Sequence, residues 1–180
     1  PRGTRLILPF ELKRPDPATP VPEELKQFAD RSRPFLLSVG ALEPEYLNAF
    51  LIEAMPRIVA RFPDAGLMIV GSGGLEAKLK SEIRSAGLED RVSLPGNLEH
   101  SVVLHLIERA DTLLRLTQYD GDSVAVREAL FLGTQTIASD NVERPDGVVL
   151  LRFPPDADGL LEALDTRAKP QFQGQSRAAE

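Results

Sequence analysis

The chain has 180 residues, 42% of them hydrophobic and 27% charged, with a formal net charge of -6 and no cysteine. That length carries one domain with a sizeable core, or a domain plus an arm. The acidic balance argues against a nonspecific nucleic-acid binder, and the missing thiols exclude disulfides, a cysteine nucleophile and a cysteine-ligated metal.

No apolar run approaches the roughly 18 residues of a membrane span, and no signal peptide pattern opens the chain. A cytoplasmic location fits these features. The first residue is Pro rather than Met, so the chain is expected to be an excised piece of a longer one.

Residues 1–33 are Pro-rich and charged. Prolines at 15, 17, 20 and 22 forbid a long helix there and favour extended backbone. Apart from one short strand in "TRLILPF", this segment reads as an interdomain linker or arm. From residue 34 the pattern becomes regular. "FLLSVG" is a buried-strand run ending in Gly40, followed by helical spacing at Leu47, Phe50, Leu51, Ala54, Met55, Ile58, Val59 and Phe62. "GLMIVG" is the next strand and "GGLEAKLKSEIRSAG" the next helix. "RVSLPG" and "HSVVLHLIERA" form the third pair, and "TLLRLT" and "SVAVREALFLG" the fourth. "TQTIAS" and "GVVLLRF" are two further strands, and "DADGLLEALDTRA" a last helix. Residues 167–180 read as a tail.

Strands alternating with helices predict an α/β domain over 34–166, with a doubly wound, Rossmann-like parallel sheet of about six strands and helices on both faces. In such sheets ligands sit beyond the carboxyl ends of the strands, near helix N-termini. The turns 40–46, 71–75, 96–100, 117–123 and 139–147 are therefore the candidate site.

Each turn has a plain structural reading beside a functional one. "GSGG" at 71–74 lets backbone approach a phosphate, but Glu76 breaks the dinucleotide fingerprint, and a tight turn without ligand explains it as well. Asp120-Gly121-Asp122 suits a hard cation. Helix capping by Asp122 or Ser123 is the favoured alternative. Glu128 sits in an otherwise apolar helix, where an unpaired buried carboxylate is costly. It needs either a base such as Arg127 or a polar cleft. His100 and His105 show no acidic partner in sequence and read as surface or cap residues.

Taken in order, "SVGALEPEYLNAFLIEA", "LMIVGSGG", "RVSLPG" and "ADTLLRLTQYDGDSVAVREALFLGTQTIASD" resemble the nucleotide-sugar-binding C-terminal half of family 4 retaining glycosyltransferases, which have the two-domain GT-B fold. The resemblance covers about Phe35 to Leu164. It places that family's pair of acids, eight residues apart, on Asp120 and Glu128. It implies that Asp120 accepts hydrogen bonds from hydroxyls of the donor sugar and Glu128 from those of the ribose. Amides of Gly121, Asp122, Ser123 and Val124 would face the diphosphate at a helix N-terminus. Asn97 and Leu98 would line the base. Gly40, Gly71 and Gly73 would let the chain pass close to the ligand.

The resemblance has a gap. The family's Arg and Lys, which neutralise the leaving diphosphate, fall on Ala41 and Tyr46, and the Gly after that Lys is Leu47. Two substitutes offer themselves. Arg115 and Arg144 lie in turns facing the cleft and would take the catalytic role with Asp120; alternatively, a metal between Asp120 and Asp122 would do the neutralising.

The implied function is donor binding within a sugar transferase for glycan or polysaccharide synthesis, with a UDP- or GDP-sugar as ligand and no cofactor. Its partner is an N-terminal acceptor-binding domain of the same longer chain, without which this piece is inactive. The alternative is a non-catalytic binding or scaffold module of the same fold.

Overall fold

A computed structural model describes residues 11–166. The short strand expected in "TRLILPF" and the tail at 167–180 lie outside them. Six strands form one parallel sheet: β1 (Phe35–Val39), β2 (Gly66–Val70), β3 (Val92–Gly96), β4 (Thr112–Arg115), β5 (Gln135–Ser139) and β6 (Val149–Leu151). Their order is β3-β2-β1-β4-β5-β6. This is the doubly wound arrangement that the alternation of runs leads one to expect. The order reverses between β1 and β4, and there the two outgoing turns are tied together, the Gln118 amide donating to the Glu45 carbonyl at 2.8 Å.

Six helices cover the sheet: α1 (Glu23–Arg31), α2 (Asn48–Arg61), α3 (Glu76–Ser85), α4 (His100–Arg109), α5 (Val124–Leu132) and α6 (Ala157–Asp165). Successive strand residues point to opposite faces. Leu36, Leu67, Ile69 and Leu114 therefore pack with Leu51, Met55 and Ile58 of α2, Leu79 of α3 and Leu160 of α6. Phe35, Leu37, Met68 and Leu113 pack on the other face with α1, with Val103 and Ile107 of α4, and with Val126 and Ala129 of α5.

One helix departs from the expected organisation. The Pro-rich pattern of residues 1–33 predicts an arm, yet Glu23–Arg31 is a helix whose Leu25, Phe28 and Ala29 are buried. Their i, i+3, i+4 spacing makes one apolar stripe, and Phe28 meets Phe35 of β1 edge-to-face at 6.3 Å. The prolines do end at the helix boundary: Pro22 is its N-cap position. Packing reaches further upstream still, with Pro15 buried and Arg14 paired with Glu108 at 3.1 Å, so the packed unit begins well before the expected boundary at 34.

Between β1 and α2, Pro44–Tyr46 makes one 3-10 turn, and Leu47 follows in the left-handed region at φ 48°. This is the position where the resembled family carries Gly. Leu47 pays the strain of that backbone while its side chain packs against the core.

Candidate donor site at the carboxyl edge of the sheet

Three segments bring charged side chains together at the carboxyl ends of β1, β4 and β5. Arg115 is the last residue of β4, Asp120 lies in the loop that follows, and Arg144 lies in the loop after β5. Arg115 donates through Nε to Asp120 Oδ2 at 2.8 Å and through Nη2 to Oδ1 at 2.9 Å. Arg144 donates through Nη1 to the same Oδ2 at 2.9 Å. The Gly121 amide donates to Oδ1 at 3.0 Å.

Each arginine is anchored further. Arg115 Nη1 donates to the Val39 carbonyl at 2.8 Å, and its guanidinium lies 4.8 Å over the Tyr46 ring. Arg144 donates to Thr117 Oγ1 at 3.1 Å and to the Ser139 carbonyl at 3.3 Å. The cluster is deep: the side chains of Arg144 and Asp120 are 2% and 9% exposed.

Burial works against both charges here, and their mutual contacts outweigh it. Burial raises the Asp120 pKa, but hydrogen bonds and charge from Arg115 and Arg144 carry it below the ordinary carboxylate value. Burial lowers the Arg115 pKa, but Asp120 carries it above the ordinary guanidinium value.

Both oxygens of Asp120 are engaged by protein donors, and a carboxylate has roughly four acceptor sites. The hydroxyl-accepting role that the resemblance implies for Asp120 would therefore require one of these bonds to give way.

The second acid is paired in a way the sequence did not suggest. Glu128 on α5 is buried, and its Oε1 lies 2.6 Å from His100 Nε2 at the start of α4. His100 was read as having no acidic partner; the sheet brings it there from 28 residues away. Arg127, one of the two partners the sequence leaves open for Glu128, points elsewhere: its Nε donates to Asp122 Oδ1 at 2.5 Å.

That pair also answers the question of capping. Ser123 is the N-cap of α5, and no side chain accepts from the first-turn amides. Asp122 is drawn to Arg127 instead. Among the described residues no group of three or more His, Asp or Glu side chains is arranged to hold a metal. Asp120 and Asp122 each face a guanidinium.

The glycines expected to admit ligand have internal reasons. A Cβ on Gly40 would stand 2.7 Å from the Tyr46 ring and 2.9 Å from Arg115 Nη1. Gly71 has φ +145°, and a Cβ there would collide with the Gly40 carbonyl. A Cβ on Gly73 would meet the Leu42 carbonyl at 2.6 Å. The two turns are packed on each other, and protein fills the space on those sides. The "GSGG" loop is likewise served from within: Glu43 Oε1 accepts from the Gly74 amide at 2.7 Å. A carboxylate in that seat disfavours a phosphate. Asn97 is exposed and donates to Ser72 Oγ at 2.8 Å, while Leu98 packs its side chain against the core.

An open cleft of about 400 Å³ lies between the start of α5 and the loop after β5. Asp120, Gly121, Asp122, Arg127, Glu143 and Arg144 line it. Arg115 stands behind it, toward Tyr46.

Comparison with known proteins agrees with this arrangement. Residues 22–164 match the model of the family described as glycosyl transferases group 1. A GDP-mannose-dependent mannosyltransferase of Corynebacterium glutamicum is 29% identical over 169 residues, spanning 86% of this chain and 44% of that enzyme. A phosphatidyl-myo-inositol mannosyltransferase of Mycolicibacterium smegmatis is 31% identical over 129 residues, spanning 68% of this chain and 32% of its own length. This chain thus spans less than half the length of these relatives.

Among solved structures, an Anabaena protein in complex with UDP and glucose superposes with a TM-score of 0.67 at 18% identity, over 81% of this chain and 41% of that one. The C-terminal domain of a Francisella tularensis group 1 glycosyl transferase superposes with a TM-score of 0.65 at 14% identity, over 86% and 84%. These two likenesses establish the shared fold. With the family match covering the packed unit from α1 to α6, the chain belongs to the glycosyl transferases group 1, as a Rossmann-like domain of the GT-B kind.

Proposed function

We propose that this domain is the donor-binding half of a retaining glycosyltransferase for glycan or polysaccharide synthesis in the cytoplasm. It holds a UDP- or GDP-sugar across the carboxyl edge of the sheet. An N-terminal domain of a longer chain supplies the acceptor, and the isolated piece transfers no sugar.

The observation that carries this reading is the convergence of Arg144, on the cleft wall, and Arg115, behind it, on Asp120 beside the uncapped N-terminus of α5. When the bond from the sugar's anomeric carbon to the diphosphate oxygen breaks, its electron pair stays on the diphosphate. Cations fixed beforehand stabilise that charge without reorganising. Two guanidiniums against one carboxylate leave the inner cluster positive, which answers the loss of cations at Ala41 and Tyr46. Amides of Gly121, Asp122, Ser123 and Val124 add the helix-terminal field. Glu128, oriented by His100, takes the ribose hydroxyls, and the Asn97–Leu98 backbone lines the base.

Calorimetric titration of the chain with UDP- and GDP-sugars tests the reading. Saturable binding of one of them is expected, and no heat at millimolar ligand overturns it.

A second reading, a non-catalytic module of the same fold, is favoured by the same gap at Ala41 and Tyr46 and by the engagement of both inner arginines with Asp120. Turnover by the longer protein, lost on Arg115→Ala or Arg144→Ala, eliminates it.

A further inference from the structure

The cleft has two ion pairs of different character. Asp120 and Arg144 are nearly sealed, and Arg144 spends its donors on Asp120, Thr117 and Ser139. Arg127 and Asp122 stand on the same wall but nearer to solvent, with side chains 21% and 46% exposed. Arg127 donates through Nε alone, so both its Nη groups have no partner among the described residues. It sits in the first turns of α5, and a long helical side chain leans back toward the N-terminus of its helix. That direction brings the guanidinium to Asp122 and to the cleft that Gly121 also lines.

Glu143, on the facing loop, adds a negative charge to the cleft. An anion entering there must meet a cation that is both reachable and released from its own counterion. Arg144 is reached with difficulty, and Arg115 is not on the wall. Arg127 meets the condition once Asp122 moves aside. Asp122 is well placed to move: it is exposed, lies in a loop, and caps no helix.

We propose that Arg127 is the cation that contacts the donor's diphosphate, and that Asp122 is its displaceable counterion, holding the guanidinium in place until a phosphate takes over. This rests on the donor-binding reading. No covalent step is involved: one charge-assisted pair is exchanged for another of the same kind. The exchange also gives the Asp-Gly-Asp stretch two separate tasks, with Asp120 ordering the inner arginines and Asp122 guarding the outer one.

The test is calorimetry on the 180-residue chain with UDP, GDP, inorganic pyrophosphate and uridine, comparing Arg127→Ala, Arg127→Lys and Asp122→Asn. Thermal melts confirm that each variant is folded. Arg127→Ala is expected to weaken UDP and pyrophosphate by about tenfold or more and leave uridine unchanged, with Arg127→Lys between. Asp122→Asn is expected to tighten UDP and pyrophosphate severalfold, because the competing carboxylate is gone.

The opposite signs are decisive. If both positions weaken binding alike, or neither changes it while the unaltered chain binds UDP, the pair is structural and the inference is wrong, with donor binding intact. If the unaltered chain binds neither UDP, GDP nor pyrophosphate, the donor-binding reading falls and takes this inference with it.

Discussion

Asp120 shows how far a residue's neighbours decide its chemistry. Its folded pKa is depressed, so the cluster's contribution to stability is present above the unfolded aspartate value of about 3.9 and is lost as pH falls through the folded value. Acid unfolding should therefore steepen below about pH 4. Asp120→Asn should flatten that part of a pH–stability profile measured by urea denaturation. An unchanged profile would mean that Arg115 and Arg144 do not hold the carboxylate. Glu128 poses a related question at the same scale. It is buried with His100 as its partner, and an orphaned buried acceptor is costly. His100→Ala should lower unfolding free energy by about 1–2 kcal/mol. In a double-mutant cycle with Glu128→Gln, additive losses would show the contact to be weak.

At the scale of elements, α1 matters most for where this domain begins. Phe28 fills the angle between α1, Phe35 of β1 and the Gly66 backbone, where a Cβ would already stand 3.2 Å from its ring. Phe28→Ala should cost about 3–5 kcal/mol, read as a drop in the urea midpoint. A loss under about 1 kcal/mol would return residues 23–31 to the status of an arm. Helix α5 is the other decisive element. Its buried face carries Val126, Ala129 and Glu128, while its open N-terminus and Arg127 border the cleft. One helix thus faces the core on one side and the cleft on another.

For the whole molecule, the strand order sets the site. Pairing of β1 with β4 places the 40–46 turn beside the loop carrying Asp120, and this is why Arg115 can reach Val39 and Tyr46. No helix among the described residues is long and apolar enough to cross a membrane. A domain spanning less than half the length of its curated relatives presents an open cleft, and donor binding should raise its melting temperature with the logarithm of ligand concentration once the ligand exceeds its dissociation constant. That shift is a second readout for the titration proposed above.

The order of apolar runs and glycine turns was enough to determine the sheet and the helices from α2 to α6, and the motifs in its turns carried the resemblance to the family. Period-2 and period-3.6 burial are local properties that any reader of the chain can count. The same count placed Asp120, Arg115 and Arg144 on neighbouring turns. It missed α1, because its apolar stripe is only three residues within a Pro-rich, charged stretch. It also missed who pairs with whom. His100 with Glu128, Asp122 with Arg127 and Glu43 with Gly74 are contacts between side chains and backbone that hydrogen-bond geometry alone selects. Sequence proximity had favoured Arg127 for Glu128, but on a helix adjacent residues diverge by about 100°. Only the tertiary structure turned one guanidinium inward to the cleft wall and left the buried acid to a histidine from another helix.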